Sequence, residues 1–263
     1  MKITLLTSDK ERHNYFINLL TKNCDKLYVV QEVSKKMKNK VPDNYINSKI
    51  LENYFDKVNI AQKKIFGINN LSILNKKNVQ IFNTPAGSLN NIPLTNLSDY
   101  LKSDIFIVFG CSYIKSDLVD FLIKKKAINI HMGVSPYYRG TDCNFWALYD
   151  NNPHLVGSTI HFLTKGLDSG PMLYHAMSKL KSNPFEYTMS TVKSAFHSLI
   201  EKIKNKSIFE MKPFFQDSTK EIRYSKKKDF NDKIAKEYLN KNINLNSKKF
   251  DYSLLKEPFF LDN

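Results

Sequence analysis

Asn129-Ile130-His131 closes an apolar segment, and Lys165-Gly166-Leu167-Asp168-Ser169-Gly170-Pro171 follows after a long gap. In a strand, alternate side chains share a face, so Asn129 and His131 project together while Ile128 and Ile130 pack inward. The pair sets an amide donor beside an imidazole. An aspartate on a Gly-rich turn, Asp168, can complete the set by orienting the imidazole and relaying a proton as a tetrahedral adduct forms and collapses.

Those side chains need a rigid frame, and the chain supplies the pattern of one. Residues 3–7 read as a buried strand. An amphipathic helix with Phe16, Leu19 and Leu20 on its inner stripe comes next, then a second strand over 27–30. Strand, helix, strand is the opening of an α/β sheet with crossover helices. From 35 to 66 the chain is basic and helical, with Ile50, Leu51, Tyr54, Phe55 and Val58 on one face, and 79–82 is a short strand. Ile105-Phe106-Ile107-Val108-Phe109 is a run for a central strand buried on both faces, stopped by Gly110. Ser116 is placed to cap a helix carrying Leu118, Val119, Phe121, Leu122 and Ile123. That helix closes on Lys124-Lys125-Lys126, where cations complement its dipole.

The strand over 127–130 then delivers Asn129 and His131 at its carboxyl end, where open α/β sheets bind ligands. A loop through Pro136 and Gly140, a short helix over 145–148, strands over 158–163 and 172–180 and a helix over 188–203 complete the pattern. The expected fold is therefore α/β: an open, mostly parallel, Rossmann-like sheet with helices on both faces. Residues 1–205 form the catalytic domain and 206–263 a short C-terminal extension, whose apolar content is too small for its own core.

Forty Lys and Arg against 25 Asp and Glu give the 263-residue chain a net charge of +15. The lysines are scattered among many asparagines and no nucleic-acid reader motif accompanies them, so the charge is read as a solvated surface that favours an anionic small substrate. Cys24, Cys111 and Cys143 are isolated, without metal-ligand spacing, so neither a metal site nor a disulfide framework is expected. The apolar stretch at residues 1–7 is too short for a signal peptide or a membrane span, and a cytoplasmic protein without membrane contact is expected.

The ordered pieces resemble a known family. Ile128-Asn129-Ile130-His131, Ser135-Pro136-Tyr137-Tyr138-Arg139-Gly140, Trp146-Ala147-Leu148, Gly157-Ser158-Thr159-Ile160-His161 and Gly166-Leu167-Asp168-Ser169-Gly170 look like the signature of folate-dependent formyltransferases. That group includes glycinamide ribonucleotide, methionyl-tRNA and sugar-nucleotide N-formyltransferases. The resemblance is dense from about 105 to 173 and weak elsewhere. It implies that Asn129, His131 and Asp168 are the catalytic trio for moving a formyl group from 10-formyltetrahydrofolate to an amine. It also implies donor contacts at Tyr113, Ile114 and Lys115, in the segment whose backbone lines the pterin pocket, and at Leu167 on the opposite wall. Tyr137 and Tyr138 are expected as pocket walls. Arg139 and Trp146 are read as structural, as are His161 and His175, for which the sequence offers no partner.

Departures from the family narrow the acceptor. Glycinamide ribonucleotide enzymes carry a glycine-rich turn after the first strand; here it is Thr7-Ser8-Asp9-Lys10-Glu11-Arg12-His13, without glycine. Methionyl-tRNA enzymes append a β-barrel domain longer than the extension seen here. The remaining branch implies an amino-deoxysugar linked to a nucleoside diphosphate, for surface polysaccharide synthesis, with Lys10, Arg12 and His13 as candidate diphosphate contacts. Two alternatives stay open: an RNA-acting relative of the methionyl-tRNA enzymes, and a formyltetrahydrofolate hydrolase. The aromatic extension, with Phe214, Phe215, Phe259 and Phe260, either pairs subunits in a homodimer or caps the domain.

Overall fold

The structure, a computed structural model, describes residues 1–34, 48–68, 77–245, 250 and 252–261. Of the basic stretch read as helical from 35 to 66, residues 35–47 lie outside this set. The sheet has eight strands: β1 (Lys2–Ser8), β2 (Lys26–Val33), β3 (Val79–Pro85), β4 (Ile105–Phe109), β5 (Ile128–His131), β7 (Ser158–Phe162), β8 (Met172–Ser178) and β10 (Phe259–Leu261), in the order β10-β8-β7-β5-β4-β1-β2-β3. Every pairing is parallel except β5 with β7 and β7 with β8. This is the open, mostly parallel sheet expected from the sequence.

Period-two alternation sorts β4 between two cores. Ile105, Ile107 and Phe109 join Phe16 and Leu20 of α1 (Glu11–Thr21) and Phe196 and Leu199 of α5 (Pro184–Lys204) on one face. Phe106 and Val108 meet Leu118, Val119 and Leu122 of α3 (Ser116–Lys124) on the other. Each such side chain, fully buried, contributes about 1.5–3 kcal/mol, so the centre of the sheet is the most firmly held part of the frame.

Several local features differ from the sequence reading. Lys115, without a side-chain cap, flanks α3, and Ser116 is instead its first residue, at φ 55. Helix α5 begins before residue 188, because Asn183 accepts from the Phe185 and Glu186 N–H groups and Pro184 takes the first turn. The loop after β5 contains β6 (Tyr138–Gly140), paired in parallel with β9 (Arg223–Ser225).

That pairing ties the C-terminal residues to the site. Helix α6 (Asp232–Asn240), capped by Asn231, docks on α2 (Lys49–Phe66), and Ser48 donates to Asp232 at 2.7 Å. Its Tyr238 joins Phe230, Tyr54 and Phe145 of α4 (Cys143–Tyr149) in a second aromatic core. Phe259 packs on the main core, and the Phe214 backbone bridges Met172, whereas Phe215 is exposed.

Candidate active site

The carboxyl ends of β4 and β5 open into a cavity of about 940 Å³. Asn129, His131 and Asp168 meet on its wall. His131 Nδ1 lies 3.3 Å from Asp168 Oδ1, and Nε2 lies 3.1 Å from the Tyr138 carbonyl oxygen. Both neighbours accept only, so the ring is best satisfied as the imidazolium, with a proton on each nitrogen. Burial by itself would depress His131, but the Asp168 carboxylate and the adjacent Cys143 override it and hold the group well above the ordinary histidine range. Burial likewise works to raise Asp168, and His131 outweighs it, keeping the carboxyl below its usual value.

A fourth polar group, missed from the sequence, completes the cluster. Antiparallel pairing sets His161 of β7 directly opposite Asn129. Asn129 Nδ2 donates to His161 Nε2 at 2.9 Å, and His161 Nδ1 donates to the Phe162 carbonyl at 2.8 Å. That pattern fixes the neutral tautomer, in keeping with burial, which pushes His161 down to about 4. Asn129 Nδ2 is also 3.5 Å from Asp168 Oδ1, so its second N–H lies at the centre of the site. His175, by contrast, is structural: its nitrogens bond the Ser135 carbonyl and the Lys256 N–H.

The Asp168 turn is pinned from both sides. Gln216 Nε2 donates to the carbonyls of Asp168 and Gly170, each at 2.8 Å, and Arg139 donates to the Leu167 carbonyl at 3.1 Å. Gly170 is dictated by space, since an added Cβ would lie 1.7 Å from the Phe162 carbonyl oxygen and 2.9 Å from His161 Nδ1. Gly170→Ala is therefore expected to cost about 3 kcal/mol by overpacking, read as a lower denaturant midpoint with unchanged slope. Wild-type stability in this variant would contradict the packing.

Tyr113, Ile114 and Leu167, the expected donor contacts, line one end of the cavity, and the Tyr113 hydroxyl donates to the Lys165 carbonyl across the wall. Lys115 does not line it. Its side chain lies over the Tyr113 ring and borders a smaller hollow with Asp120. At the other end, Lys10 and Arg12 line the cavity and His13 does not. His13 is fully buried, with ring nitrogens on Thr7 Oγ1 at 2.7 Å and Ser8 Oγ at 3.1 Å, and its ring occupies the space that a side chain at Gly110 would need. It is a core residue rather than a diphosphate contact.

Tyr137 and Tyr138 are also corrected. Neither lines the cavity: Tyr138 is fully buried, donates to Asp150 and accepts from Asn152, and Tyr137 donates to the Leu254 carbonyl. Both rings lie in the second core, and what Tyr138 presents to the site is its main-chain carbonyl. Trp146 packs as expected, with Arg223 4.3 Å over its ring.

The sequence reading did not find the aromatic lining from Tyr54, Phe145, Phe230 and Tyr238, or Asp142 at the rim. Phe230 and Tyr238 come from the C-terminal residues. Arg12 Nη1 donates to Gln62 at 2.7 Å, but its buried Nε has no partner among the described residues. Desolvation pulls Arg12 down to about 10, opposed by Asp142. The described residues contain no cluster of metal-ligating side chains and no helix long and apolar enough to cross a membrane.

Comparison with known proteins places this geometry in context. The profile of a family described as "Formyl transferase" matches residues 1–207. The curated methionyl-tRNA formyltransferase of Trichodesmium erythraeum (strain IMS101) is 26% identical over 126 residues, 47% of this chain and 37% of that protein. The chain therefore matches well under half the length of that relative. A sugar N-formyltransferase from Shewanella sp FDAARGOS_354 superposes with a TM-score of 0.54 at 18% identity, covering 88% of this chain and 78% of the other. The N-formyltransferase from Helicobacter canadensis, in complex with folinic acid and dTDP-3-aminofucose, gives 0.51 at 16% identity over 95% and 77%. At these identities the structural likeness establishes a shared fold.

Proposed function

We propose that this chain, which belongs to the formyl transferase family, transfers a formyl group from 10-formyltetrahydrofolate to the amine of an amino-deoxysugar carried on a nucleoside diphosphate. The observation that carries the reading is the convergence of Asn129, His131 and Asp168 between two chemically different ends of one cavity. One end is walled by apolar side chains such as Ile114, Leu163 and Leu167, a surface suited to a flat heteroaromatic ring. The other combines cations with aromatic rings.

Bound at the apolar end, the folate supplies an electrophilic formyl carbon. Asn129 would supply an N–H, and the His131 imidazolium a fixed positive charge, where negative charge develops on the formyl oxygen as the amine adds. Asp168 holds His131 in the charged form and is the carboxylate of the cluster able to take the proton that the amine must lose. His161, neutral and oriented by the Phe162 carbonyl, keeps the Asn129 amide from rotating.

The acceptor end supports a phosphorylated sugar. Lys10 and Arg12 face it together, and the unpartnered Arg12 Nε calls for an acceptor atom such as a phosphate oxygen. Tyr54, Phe145, Phe230 and Tyr238 offer faces for a sugar or base ring. The Helicobacter canadensis neighbour, crystallised with a nucleotide-linked amino sugar and a folate, fits this division of the cavity. A second reading, an aminoacyl-tRNA acceptor, is favoured by the Trichodesmium erythraeum relative and by the +15 charge.

The test incubates the protein with 10-formyltetrahydrofolate and either a panel of amino-sugar nucleotides or methionyl-tRNA, following folate absorbance and product mass. A formylated sugar nucleotide is the expected product. Arg12→Ala should raise the acceptor KM by about tenfold, the loss of one charge-assisted bond. Turnover with the tRNA alone would transfer the assignment to the second reading, and formate release without any amine would make the protein a hydrolase.

A further inference from the structure

Asp168 sits in a backbone conformation that an aspartate adopts only under constraint. Its φ is 49°, in the left-handed region, while its side chain is only 10% exposed and faces His131. Such a residue stays in place where its surroundings fix it. The fixing comes from one stretch of the C-terminal residues, 214–225, beyond the residues 1–207 that the family profile matches.

The first end of this stretch holds the Asp168 turn. The Phe214 main chain pairs with Met172 at the start of β8 through hydrogen bonds of 2.8 and 2.7 Å. Phe215 then faces solvent, and Gln216, on the Phe214 side of the extended chain, reaches the turn. Its amide spends both N–H groups there, on the Asp168 and Gly170 carbonyls, each at 2.8 Å. The neighbouring Leu167 carbonyl is held by Arg139, whose other terminal nitrogen pairs with Glu221 of the same stretch at 3.0 Å.

The far end acts through β6. Parallel pairing with β9 engages the Tyr137 carbonyl and the Thr141 N–H, which bond Arg223 and Ser225. By the alternation of a strand, the Tyr138 carbonyl and the Gly140 N–H face the other way. They meet the ion pair with matching polarity: the carbonyl lies 3.1 Å from His131 Nε2, and the N–H donates to the Asp168 carboxylate. Gly140 is packed so closely on β9 that an added Cβ would collide with the Ser225 carbonyl. Both ends of one stretch therefore converge on the same imidazole and carboxylate.

We propose that residues 214–225 are a brace for the His131–Asp168 pair, with Gln216 the positioning residue that sets the Asp168 carboxylate against the imidazole. Gln216 does not line the cavity, so its effect belongs in the chemical step and not in the binding of either substrate. The kinetic consequence rests on the formyl-transfer reading, and the geometric one does not.

Gln216→Ala is expected to lower the single-turnover rate of formyl transfer about tenfold, the order of effect of a small misplacement of a reacting group. Both KM values should stay within about twofold of wild type. NMR titration of His131 needs no substrate. The titratable groups that bear on the ring are Asp168, Cys143, His161 and His175, and of these only Asp168 sits on the turn that Gln216 holds. Its displacement in Gln216→Ala should move the ring's titration to lower pH. A folded Gln216→Ala with the wild-type rate, or with an unchanged His131 titration, overturns the inference and leaves the functional reading standing. A wild-type protein that transfers no formyl group overturns that reading, and the titration then decides the brace by itself. If Gln216→Ala fails to fold, Gln216→Met, which keeps the length of the side chain without its donors, is read in the same two ways.

Discussion

His131→Ala is expected to lower kcat by at least about a hundredfold, the size of a lost acid/base or oxyanion group. The imidazole bridges the Asp168 carboxylate and the Tyr138 carbonyl, so its removal takes away a fixed positive charge and leaves a buried carboxylate with less compensation. Single-turnover rates at saturating donor and acceptor isolate the chemical step from binding. Near-normal turnover in a folded variant would remove His131 from the mechanism.

Asp168→Asn is expected to cost about as much in rate, again roughly a hundredfold, for a reason that can be measured separately. Burial depresses His131 and Asp168 is the main opposing influence, so without the carboxylate the imidazole should titrate below the ordinary histidine value of about 6.5. At neutral pH the ring would then be neutral and would no longer supply the fixed positive charge. NMR titration of the ring reads this directly, and a His131 that remains charged at pH 7 in Asp168→Asn would refute the coupling.

The same pair fixes a stability signature. The raised His131 contributes stability that is full below its unfolded pKa and is lost as pH rises through the folded value. The lowered Asp168 contributes stability above its unfolded pKa that is lost as pH falls through the folded value. The difference in stability between wild type and Asp168→Asn should therefore be largest between about pH 4 and pH 6.5, the unfolded values of the two groups, and shrink on either side.

Much of this site was legible in the linear chain because strand geometry is local. Asn129 and His131 share a face by the two-residue repeat alone, and the β4 run reads as buried on both sides without knowing its neighbours. His161 was read as a bystander, because its role comes from register: antiparallel pairing sets it opposite Asn129, a relation between residues 32 positions apart. His13 erred in the other direction. Its place beside Arg12 suggested the cavity, whereas the helix phase of α1 turns its ring into the core against Phe109.

The C-terminal residues make the same point at larger scale. Their aromatic content was visible, but not its destination: Phe230 and Tyr238 line the cavity because β9 pairs with β6 and α6 docks on α2. Asn90 and Gln216 were silent in the sequence because an amide in a loop has no period and no motif. Their significance lies in which distant carbonyls they reach, that of Tyr113 for Asn90 and those of Asp168 and Gly170 for Gln216.

The sequence by itself determined the frame and the shared face of Asn129 and His131, since buried strands, crossover helices and side chains sharing a face follow from short-range periodicity and sterics. Only the tertiary structure decided the charge state of His131, the tautomer of His161, the walls of the two cavity ends and the hydrogen bonds that hold the segment after β4. Those depend on burial and on contacts across the sheet, where removal from water and one well-placed oxygen outweigh any local preference.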